Sequence, residues 1–196
     1  MRQRFGADGL DRHGTVGSGK STLAAALGGE LAGDVFSSDR VRKELAGVPV
    51  HVRTGAAGRS RLYSAAMSDR TYAALTHRAI ERIRSRQMVI LDATFAERRR
   101  RDALRKKLER AGIRYCFIET NSGESAIRRR LGRRAHSVDE VSDARLEDFP
   151  TLNRGYQPPG EVDSAHFFAV ETTGPLEKTV ATTLKSLALR RASSTH

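Results

Sequence analysis

Gly14-Thr15-Val16-Gly17-Ser18-Gly19-Lys20-Ser21 is the stretch on which the reading of this sequence turns. It matches G-x-x-x-x-G-K-[ST], a spacing in which glycines let the backbone curl until successive N–H groups point inward at phosphate oxygens. Leu23, Leu27 and Leu31 follow at helical spacing, so a helix N-terminus adds the positive end of its dipole at the same place. Gly14, Gly17, Ser18 and Gly19 then form the loop, Lys20 reaches the β- and γ-phosphates of ATP, and Thr22 lies beside them in the opening helical turn. Ser21 offers its hydroxyl to the Mg²⁺ that bridges the same phosphates. Residues 5–13, FGADGLDRH, carry only scattered apolar side chains, where such a loop is ordinarily fed by a buried strand.

Beyond the loop, charged blocks with apolar residues at helical spacing are separated by short β-branched or aromatic runs, the pattern of a parallel α/β sheet. Asp34-Val35-Phe36-Ser37 reads as a strand and a helix begins near Asp39. Tyr72, Leu75, Ala79, Ile80 and Ile83 line one face of a helix over about 68–85, and Met88-Val89-Ile90-Leu91 follows as a strand that Asp92 ends. Arg98 to Arg110 is helical, 113–118 is a strand covered on both faces, and 166–170 is the last strand. Leu176, Val180, Leu184 and Leu187 mark a closing helix, and 192–196 reads as a frayed tail. The stretches 47–61 and 150–160 read as irregular connections.

Ligands of open α/β sheets bind at the carboxyl ends of the strands, which is where the sequence places four more polar positions. Asp39 follows the second strand and could accept a proton from an acceptor hydroxyl. Arg42, three residues on and so on the same helical face, could orient that carboxylate and the incoming group. Helix capping by Ser38 or Asp39 is the alternative role for this turn. Asp92 ends the next strand and offers a carboxylate to the Mg²⁺ shell or the acceptor, with the Thr94 hydroxyl near enough to assist, or else the two form a turn. Arg130 and Arg134 stand four apart on one helical face and could clamp a phosphoryl group in transit, although Arg128, Arg129 and Arg133 crowd the same segment.

Composition bounds the rest. At 196 residues and 38% hydrophobic content the chain supports one core, so a single domain over 1–191 is expected. The net charge of +12 draws phosphates of every kind and cannot choose among nucleic acid, an anionic metabolite and ATP. A single cysteine, Cys116, precludes an intrachain disulfide and a cysteine-rich metal site. No stretch approaches eighteen apolar residues and the first thirteen residues have no signal-peptide character, so a soluble, cytoplasmic protein is expected, with no membrane partner.

The phosphate loop, Asp39-x-x-Arg42, Val89-Ile90-Leu91-Asp92-Ala93-Thr94 and Arg130-Leu131-Gly132-Arg133-Arg134, in this order, resemble P-loop kinases of the polynucleotide-kinase-like and zeta-toxin-like group. Within it the chain is most similar to the "AAA family ATPase" kinases, some of them fused behind an aminoglycoside-phosphotransferase-like domain. The resemblance spans roughly 14–187 and implies a three-layer nucleoside-kinase-like fold. Its five-stranded parallel sheet runs in order 2-3-1-4-5, with an arginine-bearing lid at about 128–146. It implies Lys20 and Ser21 on ATP-Mg²⁺, Asp39 as base, Arg42 toward the acceptor, Arg134 in the lid and Thr173 near the adenine. The polar 5–13 segment departs from the family's apolar first strand, a departure that a fragment of a fused protein, with its phosphotransferase-like partner domain, would explain.

The expected activity is therefore transfer of the γ-phosphoryl group of ATP-Mg²⁺ to a hydroxyl of a small molecule, since aromatics make up only 6% and offer little stacking surface. Phosphorylation of a nucleic-acid 5′-hydroxyl, using Tyr63, Tyr72 or Tyr156 for stacking, is one alternative. An ATP-binding module without turnover and a basic nucleic-acid-binding protein with an incidental loop are the others.

Overall fold

The computed structural model describes residues 17–85, 87–135 and 155–193. Helix α1 (Lys20–Glu30) starts directly from the loop and feeds strand β1 (Asp34–Ser37), after which α2 (Ser38–Leu45), α3 (Ala56–Leu62) and α4 (Ala65–Arg84) follow in turn. Strand β2 (Val89–Asp92), helix α5 (Arg98–Arg110), β3 (Phe117–Asn121), α6 (Glu124–Ala135), β4 (Phe167–Glu171) and α7 (Leu176–Ser193) complete the described chain.

The strands form two parallel pairs. β1 lies beside β2 with Asp34 opposite Val89 and Ser37 opposite Asp92, and β3 lies beside β4 with Phe117 opposite Phe167 and Asn121 opposite Glu171. Counting a strand ahead of the loop as the first, these are the neighbours 2-3 and 4-5 of the expected sheet. The strand that would stand between them falls on residues outside the described ones.

Leu23 and Leu27 of α1 pack with Phe168 and Val170 of β4 and Val180 of α7, while Ile90 of β2 and Ile118 of β3 border the same cluster. α1 therefore rests on both strand pairs at once, which fixes the loop at its N-terminus relative to all four strand ends. Cys116 borders this core half-buried, and burial pushes its thiol up to about 11 against the opposing charge of Arg190. An apolar setting of that kind keeps it a thiol.

Three elements differ from the sequence reading. Residues 47–61 are not wholly irregular, because α3 occupies their second half and Lys43, 1% exposed, donates to Val50 O and Val52 O at 3.0 Å each to tie down the first half. The third described strand begins at Phe117, not at Ile113. Ile113 N is spent on Leu108 O in the turn out of α5, whereas Phe117 N reaches His166 O. Consequently the polar residues Glu119, Thr120 and Asn121 belong to the strand and carry it toward the loop. Finally, α7 runs through Ala192 to Ser193, into the stretch expected to fray, and 194–196 lie outside the described residues.

α4 shows how polar residues enter a core without penalty. Ser64 caps it by accepting from Met67 N at 3.3 Å, and buried Thr71 and Thr76 return their hydroxyls to Met67 O and Tyr72 O at 2.8 Å each. Leu75 and Ala79 between them bury the face that the spacing marked.

Candidate active site

The loop survives in the described residues from Gly17 onward; Gly14 lies outside them. Gly17 and Gly19 both adopt positive φ, 82° and 90°, and Gly19 is the N-cap of α1. A Cβ on Gly19 would stand 3.2 Å from Arg130 Nη1 and 3.3 Å from Thr172 Oγ1; one on Gly17 would stand 3.0 Å from Ile127 Cγ2. Gly19→Ala is accordingly expected to cost about 1–2 kcal/mol from the left-handed backbone alone. ATP should raise the melting temperature of that variant less than that of wild type, which a thermal melt with and without nucleotide measures.

Buried hydroxyls hold the loop to the ends of β3 and β4. Ser18 Oγ shares a hydrogen bond of 2.6 Å with Thr120 Oγ1, and the one proton of Thr172 Oγ1 lies between Ser18 O at 2.6 Å and Asn121 O at 2.9 Å. Arg130 of α6 completes the clamp, with Nη2 on Thr172 O at 2.5 Å and Nη1 on Ser122 Oγ at 3.0 Å and Gly17 O at 3.4 Å. Lys20 Nζ donates to Ser18 Oγ at 3.3 Å, so its ammonium lies along the inside of the loop.

One pocket joins the loop to the other strand pair. It is lined by Gly17, Gly19, Lys20, Ser21, Ser37, Ser38, Asp39, Asp92, Ala93 and Thr94. Its far wall follows from the β1–β2 register: because Ser37 is opposite Asp92, the chain leaving each strand delivers Asp39 and Asp92 to the same end of the sheet. Ser37 is the N-cap of α2 and makes no side-chain cap bond, and Asp39 accepts from Tyr63 OH at 3.1 Å. Thr94 Oγ1 pairs with Tyr72 OH at 3.2 Å. Ser21 and Asp92 present oxygen donors to this pocket, the chemistry a hard divalent cation such as Mg²⁺ takes.

The residues expected from sequence therefore divide. Lys20, Ser21, Asp39, Asp92 and Thr94 meet in one pocket, and Thr22 stands exposed in the first turn of α1. Arg42 does not line it: 5% exposed, it donates from Nη1 to Leu62 O at 3.0 Å and Ser68 Oγ at 3.1 Å, with its guanidinium 4.6 Å from the Tyr63 ring centre. Arg130 reaches the loop's own carbonyl. Thr173 gives its hydroxyl to the Glu171 carboxylate, and Thr172 is the threonine that touches the loop. Arg134 is in α6, but its side chain lies outside the described residues, as does the expected lid beyond 135. The sequence reading missed Thr120, Ser122 and Thr172, for which the one signal was hydroxyls at the ends of strand-like runs, and it named Tyr63 and Tyr72 for stacking, whereas their hydroxyls meet Asp39 and Thr94.

The loop carrying Thr94 is fastened from behind. Phe95 has φ 42°, a strained value for a residue with a Cβ, and its ring packs edge-on against Tyr72 at 5.0 Å and Phe117 at 6.0 Å. Arg101 donates to Phe95 O at 2.8 Å and Ala96 O at 3.2 Å, while Gln157 N reaches Ala96 O at 2.9 Å.

A family model described as an AAA domain matches residues 12–159, a span that takes in the loop, both carboxylates and Arg130. The chain belongs to this AAA domain family. Among curated proteins none matches. Solved structures share the fold of this AAA domain. A gluconokinase from Sinorhizobium meliloti 1021 is 22% identical, with 94% of this chain and 95% of that one covered and a TM-score of 0.62. The Mycobacterium tuberculosis APS kinase CysC, solved in complex with AMPPNP and APS, is 19% identical, with 90% and 94% covered and a TM-score of 0.64. Chaetomium thermophilum Kti12, in complex with ADP-AlF3, is 18% identical, with 89% and 96% covered and a TM-score of 0.61. The AAA domain chain thus has the architecture of P-loop kinases, and among its described residues no helix is long and apolar enough to cross a membrane.

Proposed function

We propose that this chain binds ATP with its triphosphate in the Gly17–Ser21 turn and passes the γ-phosphoryl group to a hydroxyl of a small molecule. The observation that carries the reading is the pocket in which Lys20 and Ser21 stand together with Asp39, Asp92 and Thr94. A cation and a helix N-terminus stand on one wall for the donor; carboxylates stand on the other for the acceptor.

Loop N–H groups and the α1 dipole bind the phosphates, and Lys20 leaves Ser18 Oγ to span the β- and γ-phosphates. Ser21 and Asp92 would hold Mg²⁺, which neutralises charge on the phosphates when bound. Asp39 aligns the acceptor hydroxyl and takes its proton as the new O–P bond forms and the bond to the β-phosphate oxygen breaks, leaving ADP. Thr94 orients the acceptor. Arg130 keeps the loop in shape by holding Gly17 O and Thr172, Arg134 closes from the lid, and Thr173 approaches the adenine.

The solved kinases with this fold support a small-molecule acceptor, since their names specify gluconate and APS. Of the three tyrosines a nucleic-acid substrate would stack on, Tyr63 and Tyr72 have their rings against Arg42 and Arg100, and Tyr156 is half-buried with its hydroxyl on the Glu119 carboxylate. Burial first, then Glu119, raises the Tyr156 phenol well above its ordinary value.

The test pairs γ-phosphate release from ATP-Mg²⁺ with a thermal-shift titration. Wild type should be stabilised by ATP and turn it over. Asp39→Asn should lose about 10²-fold in turnover while its shift with ATP stays that of wild type. A wild type indifferent to ATP overturns the reading, and an Asp39→Asn that turns over normally removes Asp39 from it.

A further inference from the structure

Two arginine–tyrosine stacks stand behind the carboxylate wall, and each ends on a side chain of the pocket. Tyr63, the residue that closes α3, has its ring over Arg42 at 4.6 Å and its hydroxyl on Asp39 Oδ1 at 3.1 Å. Tyr72 of α4 has its ring under Arg100 at 4.6 Å and its hydroxyl beside Thr94 Oγ1 at 3.2 Å. Neither guanidinium is loose. Arg42 is fixed by Leu62 O and Ser68 Oγ, and Arg100, its side chain 10% exposed, by Glu97 at 3.0 Å and Asp69 at 3.4 Å.

We infer that Arg42 and Tyr63 are positioning residues for Asp39, and that Arg42 acts through the Tyr63 ring and not by contact with the acceptor. The inference rests on the reading of Asp39 as the group that aligns the acceptor hydroxyl. A carboxylate at the edge of a pocket rotates about two bonds, and turnover is sensitive to misplacement of about 1 Å. The phenol hydroxyl occupies Oδ1 and leaves Oδ2 to face the acceptor. Tyr63 is itself 40% exposed and sits at a helix end, so it cannot hold that geometry unaided. The stacked guanidinium, bonded to the carbonyl of the preceding residue Leu62 and to α4, supplies the missing restraint. Arg100, Tyr72 and Thr94 repeat the arrangement on the adjoining loop.

The experiment is a double-mutant cycle in ATP hydrolysis by the full chain, with water in the acceptor place as the probe. Tyr63→Phe removes one exposed hydroxyl and keeps the ring; it should fold as wild type, lose about tenfold in kcat and leave KM for ATP unchanged. Arg42→Lys keeps the charge and loses the planar stack; it should lose a similar factor, and the double variant should be no worse than the poorer single one. A Tyr63→Phe kcat equal to that of wild type overturns the inference even if Arg42→Lys fails to fold. Losses that multiply in the double variant overturn it too, because they place Arg42 on the acceptor independently. If wild type neither binds nor turns over ATP, the phosphotransfer reading falls and this inference with it; turnover by wild type with a silent Tyr63→Phe removes the inference alone.

Discussion

Lys20→Ala is expected to lower γ-phosphate release from ATP-Mg²⁺ by about 10³-fold, the scale on which removal of one preorganised donor at a developing charge acts. The side chain is the first residue of α1, half-buried, with Nζ 3.3 Å from Ser18 Oγ. Ser18 in turn is held by Thr120 at 2.6 Å, so the loop keeps its shape when the lysine is cut back and the variant should melt close to wild type. The loss should fall mainly on turnover, since the loop N–H groups still bind phosphate. Steady-state phosphate release at saturating ATP, beside a melting curve for each protein, checks it. An unchanged rate would mean that the loop is not where the γ-phosphate sits.

Arg101→Ala should remove about 3–5 kcal/mol of stability, seen as a melting temperature lower by roughly 10 °C at 2–4 °C per kcal/mol for a chain of this size. Its guanidinium meets Glu161 twice, Nε to Oε1 at 2.5 Å and Nη2 to Oε2 at 3.1 Å, with the two side chains 3% and 6% exposed. Truncation leaves a buried carboxylate without its counter-ion and takes the arginine donor from Phe95 O in the Thr94 loop, while Ala96 O keeps its bond from Gln157 N. Turnover should therefore fall along with stability. Arg101→Met with Glu161→Leu should recover most of the melting temperature, because the pair's main demand is that neither charge be left alone.

The pH dependence follows from the same pair. The Arg101 hydrogen bond holds the Glu161 carboxyl below the ordinary carboxylate value, with burial opposing. A carboxyl whose folded value is depressed stabilises the protein fully above its unfolded value of about 4.3 and loses that contribution as the pH falls through the folded value. Wild type should thus show a steeper fall of melting temperature below about pH 4.3 than Arg101→Met with Glu161→Leu, which has no such group. Melting curves from pH 7 to pH 3 decide this.

Arg98-Arg99-Arg100-Arg101 shows why such a site is only partly legible. As a sequence the run is four equal cations. In the fold Arg98 and Arg99 are exposed on surface carboxylates, Arg100 stacks on Tyr72 and Arg101 is the buried anchor of the site loop. Helical spacing separates faces, but which face meets Glu161 is settled sixty residues away. Arg42 is similar. Its spacing from Asp39 puts the two on one face of α2, yet its guanidinium turns toward α3 and α4 because Leu62 O and Ser68 Oγ offer it bonds there.

The sequence by itself determined what is local. Glycines at positive φ followed at once by helix spacing specify the loop and α1, and one strand-like run followed two residues on by Asp39, with another ending in Asp92, specifies two carboxylates near the strand ends, because each depends on residues within a few positions of one another. Only the tertiary structure decided what holds and completes the site. Ser18 meets Thr120 across 102 residues, Gly17 meets Arg130 across 113, and Thr172, not Thr173, meets Ser18 across 154. Those partners are chosen by how β3, β4 and α6 pack on α1. A hydroxyl or guanidinium carries no mark in sequence of the one buried donor or acceptor it will satisfy.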